Sequence, residues 1–179
     1  METSTQLATQ IRFHLDSLGE SNGHHAFEQL CLGLTRRRIV SSVMPATGPA
    51  AAGGDGGRDG ESCWSVVASD LPITSVFTAL ATDENVVIAA TTQRDDIPTK
   101  VRTDLAKICI DGAPADRVTY FTVKPVSVSK RHELQKHARE NHPMALGIWD
   151  AQGIDEEPAA YDRILSGCRL PASSIVTRA

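Results

Sequence analysis

The run VVIAATT at residues 86–92 constrains the fold more than any other part of the chain. Odd and even positions are both apolar, which predicts a strand that is buried on both faces and therefore central in a sheet. A helix is predicted directly after it, at 98–110, because Val101, Leu105 and Ile108 keep the helical period and proline fits the first helical turn. A buried strand followed by a helix predicts an α/β fold with a partly parallel sheet.

The same periodicities assign most of the remaining chain. Further helices are predicted at 4–18, 24–38, 129–141 and 158–166, and further strands at 39–44, 62–68, 118–123 and 144–149. Residues 45–60 hold prolines and many glycines without any period, which indicates a long loop, and such loops are uncommon unless they are functional or disordered. The pattern predicts a mixed sheet flanked by helices, with an N-terminal helical pair.

Composition bounds the class of protein. The chain has 179 residues, of which 41% are apolar and 22% charged, as in an ordinary globular domain. No apolar run approaches the ~20 residues that cross a bilayer, and the N-terminus lacks the pattern of a signal peptide, so we expect a cytoplasmic protein without membrane contact. The four cysteines never form C-x-x-C, which indicates reduced thiols rather than a zinc site.

The run GGDGGRDGE at 53–61 carries the acidic residues Asp55, Asp59 and Glu61 within a glycine-rich loop. One interpretation is a turn whose acids face water. An EF-hand calcium loop is excluded, because Gly57 and Val66 stand where that motif needs an oxygen ligand and a glutamate. The third interpretation is that the loop delivers a carboxylate to Mg²⁺ at the start of a strand, with waters and substrate phosphate completing the shell.

This motif, preceded by Glu28 on a helix and followed by the strand at 86–92, Gln93 and Lys100, resembles the PD-(D/E)xK nuclease superfamily. It looks closest to the Mrr-like and Cap4-like branch of restriction and anti-phage effectors, over roughly residues 24–150. The resemblance implies a restriction-endonuclease-like sheet. It suggests an N-terminal helix at 1–22, a nuclease-like domain at 23–170 and a tail at 171–179.

The resemblance also implies a set of site residues. The metal ligands for Mg²⁺ or Mn²⁺ would be Glu28, Asp59 and Asp55, and the catalytic residues would be Glu28, Asp59, Gln93 and Lys100. Arg58 and Thr91 would contact the substrate, although Arg58 could equally pair with its acidic neighbours. The attacking water would be activated by the metal, with Lys100 orienting it or stabilising charge on the phosphate.

The chain departs from the family pattern, because the strand at 86–92 contains no lysine and Lys100 lies in the following helix. The resemblance then implies a migrated lysine. Two local alternatives stay open: Glu28 could be a surface acid, and Lys100 with Asp104 could be an ordinary i, i+4 pair.

The resemblance therefore implies a Mg²⁺-dependent endonuclease that cleaves double-stranded DNA with low sequence specificity, as the effector of an anti-phage defence system. The resemblance also implies a homo-oligomer and a sensor such as an NTPase module. Because the chain holds no P-loop motif, this sensor would lie on another chain or in a region that is not present here. The main alternative is a catalytically degenerate module for binding or oligomerisation. An RNA-directed nuclease is another, and a flavodoxin-like domain ranks low. A net charge of −4 counts against nucleic-acid binding, although basic clusters occur at 36–38 and 124–139.

Overall fold

The computed structural model describes residues 4–20, 23–45, 57–62 and 83–156. Within these ranges the helices are α1 Ser4–Glu20, α2 His24–Arg38, α3 Ile97–Ile110, α4 Val128–Asn141 and α5 Ala151–Asp155. The strands are β1 Val43–Pro45, β2 Gly60–Ser62, β3 Val86–Thr91, β4 Arg117–Thr122 and β5 Ala145–Trp149. The predicted helix at 158–166 lies outside the described residues.

The strands form one mixed sheet in the order β1-β2-β3-β4-β5. The pairs β1/β2 and β2/β3 are antiparallel, whereas β3/β4 and β4/β5 are parallel with α3 and α4 as their connections. The carboxyl ends of β3, β4 and β5 therefore lie at one edge, which we call the carboxyl edge. The strand β2 runs antiparallel to β3. The residue that precedes β2, Asp59, therefore lies on the side of the carboxyl edge.

Helices cover both faces of the sheet, and alternate side chains of β3 pack against the helices of opposite faces. Val86 and Ile88 pack into one hydrophobic cluster with residues of α1, α2 and α5. Val87 and Ala89 pack into a second cluster with residues of α3 and α4. The expected α/β class and the central, doubly buried position of β3 are confirmed.

The helix α1 shares this core. Its Ile11 and Leu15 are buried in the same cluster as Phe27 of α2 and Ile154 of α5. An amphipathic helix gains most of its stability from such packing. Within the part of the chain that the structure describes, no helix is both long and apolar enough to span a bilayer.

Two elements differ from the sequence expectation. The strand predicted at 39–44 is confined to β1, because the amides of Ile39 and Val40 both donate to Thr35 O and extend the end of α2. The short helix α5 was not predicted, since five residues carry no readable period. Asp150 begins α5 by accepting a hydrogen bond from Gly153 N, as an N-cap residue does. Of the strand predicted at 62–68, only Ser62 lies among the described residues.

Candidate active site

Asp59 is fixed to the main chain of β3. Its amide donates to Ile88 O at 2.8 Å, and its Oδ2 accepts a hydrogen bond from Ala90 N at 2.6 Å. Only 7% of the residue is exposed. A buried carboxylate costs free energy unless it is hydrogen-bonded, so the bond from Ala90 N stabilises the charge of Asp59, while its amide bond to Ile88 O fixes the main chain at the carboxyl edge.

The glycines around Asp59 let its loop pass between two helices. Gly57 has φ +79°, and a Cβ there would lie 3.4 Å from the main-chain oxygen of Asp104 in α3. A Cβ on Gly60 would lie only 2.5 Å from Leu32 Cδ2 of α2. Gly57 is therefore required by its positive φ, and Gly60 by the close approach of the loop to α2.

Arg58 anchors the loop to the C-terminal end of α3. Its guanidinium donates to Ile108 O at 2.6 Å, to Ala113 O at 2.8 Å and to Asp111 O, and it pairs with Glu61. The residue is 4% exposed. Carbonyls at a helix C-terminus are natural partners of an arginine. Because the guanidinium is committed to these groups, Arg58 is not counted among the substrate contacts of the candidate site.

Lys100, which is partly exposed, joins a network of two buried side chains that links α3 to β4. Its Nζ lies 2.8 Å from Asp104 Oδ1, and Asp104 Oδ2 accepts a hydrogen bond of 2.8 Å from the hydroxyl of Tyr120. Burial raises the pKa of Tyr120 well above 10.0, and the negative charge of Asp104 raises it further, whereas a hydrogen bond with Thr91 lowers it. Lys100 thus sits on a fixed carboxylate rather than in a mobile surface pair.

The charge of Asp59 reaches residues on both faces of the sheet. It contributes to the raised pKa of Tyr120, beside the Lys100 network. It also contributes to the raised pKa of Cys31 in α2, where burial is the largest cause and the charge of Glu28 is a further one. The charges of Asp59 and Asp104 thus both act on Tyr120, and the charges of Asp59 and Glu28 both act on Cys31.

The remaining predicted residues differ in placement. Thr91 is buried beside Tyr120, and its Oγ1 accepts a hydrogen bond from Gln93 N at 3.1 Å. The exposed side chain of Gln93 donates to Asp95 O. Glu28 is largely buried, with Oε2 3.1 Å from His25 Nδ1. Thr91, not Gln93, is the strand-end residue that joins the network.

The donor set suits a hard divalent cation. Asp59 and Glu28 supply carboxylate oxygens, and Mg²⁺ needs only one or two carboxylates besides waters and substrate phosphate. Among the described residues, no three side chains of histidine, cysteine, aspartate or glutamate form a metal-binding group. Asp55, the third predicted ligand, lies outside the described residues. The shared Mg²⁺ site therefore stays a prediction.

The pair of Lys100 and Asp104 was among the sequence alternatives and is present, but the burial of Asp104 and its bond with Tyr120 were not predicted. Asp104 lies on the helical stripe of Val101, Leu105 and Ile108, and a carboxylate at such a position is expected to be buried and paired. That pattern could have been read from the sequence. The contact with Tyr120 could not be read from the sequence, because Tyr120 lies on β4 and Asp104 on α3.

Comparison with known proteins adds no family assignment. No protein-family model, no curated protein and no solved structure matches this chain. The resemblance to the nuclease superfamily therefore depends on the motif residues themselves.

Proposed function

We propose that this protein is a metal-dependent nuclease that hydrolyses phosphodiester bonds in DNA, on a restriction-endonuclease-like sheet. The observation that carries the proposal is the position of Asp59. Its carboxylate is anchored to Ala90 N, and its charge acts on Tyr120 of the Lys100 network on one face of the sheet and, with that of Glu28, on Cys31 on the other. A carboxylate pair with an adjacent lysine is suited to phosphate chemistry at the end of a strand.

Each residue has a distinct task in this proposal. Asp59 and Glu28 would hold the Mg²⁺ ion, which when bound lowers the pKa of the attacking water and neutralises phosphate charge. The ammonium group of Lys100 has three N–H donors. One of them is directed at Asp104, so the others can donate to the non-bridging oxygens of the scissile phosphate.

Asp104 and Tyr120 would act as positioning residues. A lysine side chain on a helix surface samples many rotamers, and ordering it costs entropy. The bond from Tyr120 fixes the Asp104 carboxylate, and the carboxylate fixes Lys100 Nζ. The network thereby replaces, from the helix, a lysine that the family pattern places on the strand.

Substrate and partners follow from the resemblance. Double-stranded DNA is the proposed substrate, with phosphate contacts dominating over base readout. A homo-oligomer, a partner sensor such as an NTPase module, a cytoplasmic location and a role in anti-phage defence complete the proposal.

A second candidate function is a degenerate nuclease-like module that serves binding or oligomerisation. The ion pair between Lys100 and Asp104 favours it, since a lysine held by a buried acid can be purely structural. The two candidates differ in whether these side chains support turnover.

A plasmid nicking assay separates the candidates. Supercoiled DNA and structured RNA are offered side by side with Mg²⁺ to the parent protein, to Asp59→Ala, to Lys100→Ala and to the control Glu133→Ala, an exposed acid of α4 paired with Arg102. We expect the parent and the control to nick DNA, and both site variants to lose about 100-fold or more in rate. No nicking by the parent supports the degenerate module, preferential RNA cleavage reassigns the substrate, and equal rates for Asp59→Ala and the parent contradict the site.

A further inference from the structure

Two cations at the carboxyl edge are held by one acidic residue of α1. Arg94 follows the end of β3, and Lys124 follows the end of the neighbouring strand β4. Lys124 Nζ lies 3.1 Å from Asp16 Oδ1, and the guanidinium of Arg94 donates to the main-chain oxygen of Asp16. The C-terminal part of α1 thus covers positive charge at the edge where Asp59 and Thr91 also lie.

The contact through Asp16 is not what holds α1 in place. Ile11 and Leu15 bury α1 in the core, and Arg12 pairs with Asp155, whose side chain is only 2% exposed. By contrast, the side chains of Lys124 and Asp16 are 31% and 50% exposed. An ion pair as exposed as this one contributes little net stability, so it can be exchanged for another partner without loss of the fold.

Asp16 presents negative charge to Lys124 and Arg94, as a phosphate group would. The carboxylate of Asp16 is anionic, and the main-chain oxygen of this residue, which Arg94 contacts, carries a partial negative charge. Both cations that contact Asp16 come from strand ends at the proposed active site. In a chain with a net charge of −4, such local cations decide where a polyanion can bind.

We propose that Arg94 and Lys124 form the surface that binds the phosphate backbone of the nucleic-acid substrate, and that Asp16 occupies this surface in the free protein. The inference rests on the proposed function for the identity of the polyanion. Substrate binding exchanges the contacts of Asp16 for contacts with phosphates, so α1 limits the affinity of the free protein for nucleic acid.

The test measures binding separately from cleavage. Fluorescence anisotropy of a short fluorescein-labelled DNA duplex is followed in EDTA over a series of salt concentrations. The proteins are the parent, Asp16→Asn, the double variant Arg94→Gln with Lys124→Gln, and the control Arg12→Gln, which breaks another ion pair of α1. Far-UV circular dichroism and thermal melting establish that each variant is folded.

Removing the competing charge should tighten binding by Asp16→Asn up to about fivefold, the factor that one exposed ion pair allows. The double variant should bind more weakly, and the slope of log affinity against log salt should fall by about 0.9 for each phosphate that the variant no longer neutralises. The control Arg12→Gln should bind as the parent does.

Three results would overturn the inference: unchanged or weaker binding by Asp16→Asn, an unchanged salt slope in the double variant, or tightening by Arg12→Gln equal to that of Asp16→Asn. The last would assign the effect to a loosened helix. Failure of the proposed function gives a different result. In that case Asp59→Ala nicks plasmid as fast as the parent, whereas the binding results can still be those expected here.

Discussion

The hydroxyl of Tyr120 donates a hydrogen bond of 2.8 Å to Asp104, and the other oxygen of that carboxylate holds Lys100. This bond ties a helix to the strand beneath it through a buried charge. The position of the Lys100 ammonium group is thus set by tertiary structure, and the stability of the network can be measured.

Replacing Tyr120 by phenylalanine should destabilise the protein by about 1 kcal/mol, because Asp104 is deprived of one buried hydrogen bond. Asp104→Asn should cost more, since it weakens the bond from Tyr120 and also removes the ion pair with Lys100. Urea unfolding followed by circular dichroism measures both free energies. A smaller destabilisation by Asp104→Asn than by Tyr120→Phe would contradict the network.

The raised pKa of Tyr120 predicts a loss of stability in alkali. Burial, and then the charge of Asp104, keep the folded phenol protonated above its ordinary pKa of 10.0, while the unfolded phenol ionises there. The stability from Tyr120 is complete below this pH and declines as the pH rises toward the folded pKa. The difference in unfolding free energy between the parent and Tyr120→Phe should therefore shrink above about pH 10. If urea titrations below and above pH 10 gave the same difference in unfolding free energy, the raised pKa of Tyr120 would be refuted.

Gly60 should not tolerate a side chain. An added Cβ would meet Leu32 Cδ2 at 2.5 Å, with Met44 O at 3.2 Å on another side, so Gly60→Ala should cost about 1–3 kcal/mol. Gly147 in β5 is the matched control, because its Cβ would meet only Val118 O at 4.0 Å, and Gly147→Ala should change stability by about 0.5 kcal/mol or less. Thermal melting compares the two, and equal destabilisation would argue against the close packing of the loop.

The guanidinium of Arg58 should not be replaceable by an ammonium group. The carbonyls of Ile108, Asp111 and Ala113 all accept from Nη2, whereas Nη1 pairs with Glu61. A lysine side chain is one bond shorter and has a single nitrogen, so Arg58→Lys should cost about 2–4 kcal/mol. Arg102→Lys changes an exposed pair with Glu133 and should cost less than about 1 kcal/mol. Guanidinium chloride unfolding gives both values. A stable Arg58→Lys variant with weakened DNA binding would restore Arg58 as a substrate contact.

The sequence was most informative where local pattern determines structure. The strand β3 was predictable because both of its faces are apolar, and α3 because its stripe keeps the helical period. For Arg58 the sequence left phosphate and a neighbouring acid as alternatives, and the ion pair with Glu61 confirms the second. The main partners of Arg58 are carbonyls at the end of α3, which only the folded chain brings near.

The candidate site shows the same division. Asp59 stood out through its motif, but its anchor at Ala90 N depends on the antiparallel pairing of β2 with β3. The bond between Asp104 and Tyr120 depends on the parallel register of β4 beside β3. Register is fixed by packing of the whole sheet, so no local pattern could predict either bond.

The central claim is that Asp59 and Glu28 hold a divalent ion together. Titration of Mn²⁺ into the folded protein, followed by water-proton relaxation, measures this directly, with Asp59→Asn, Glu28→Gln and the exposed control Glu133→Gln. The account predicts one site per chain that both site variants weaken by about tenfold or more and that the control retains. Equal Mn²⁺ binding by Asp59→Asn and the parent, or no binding by any of the four proteins, would contradict it.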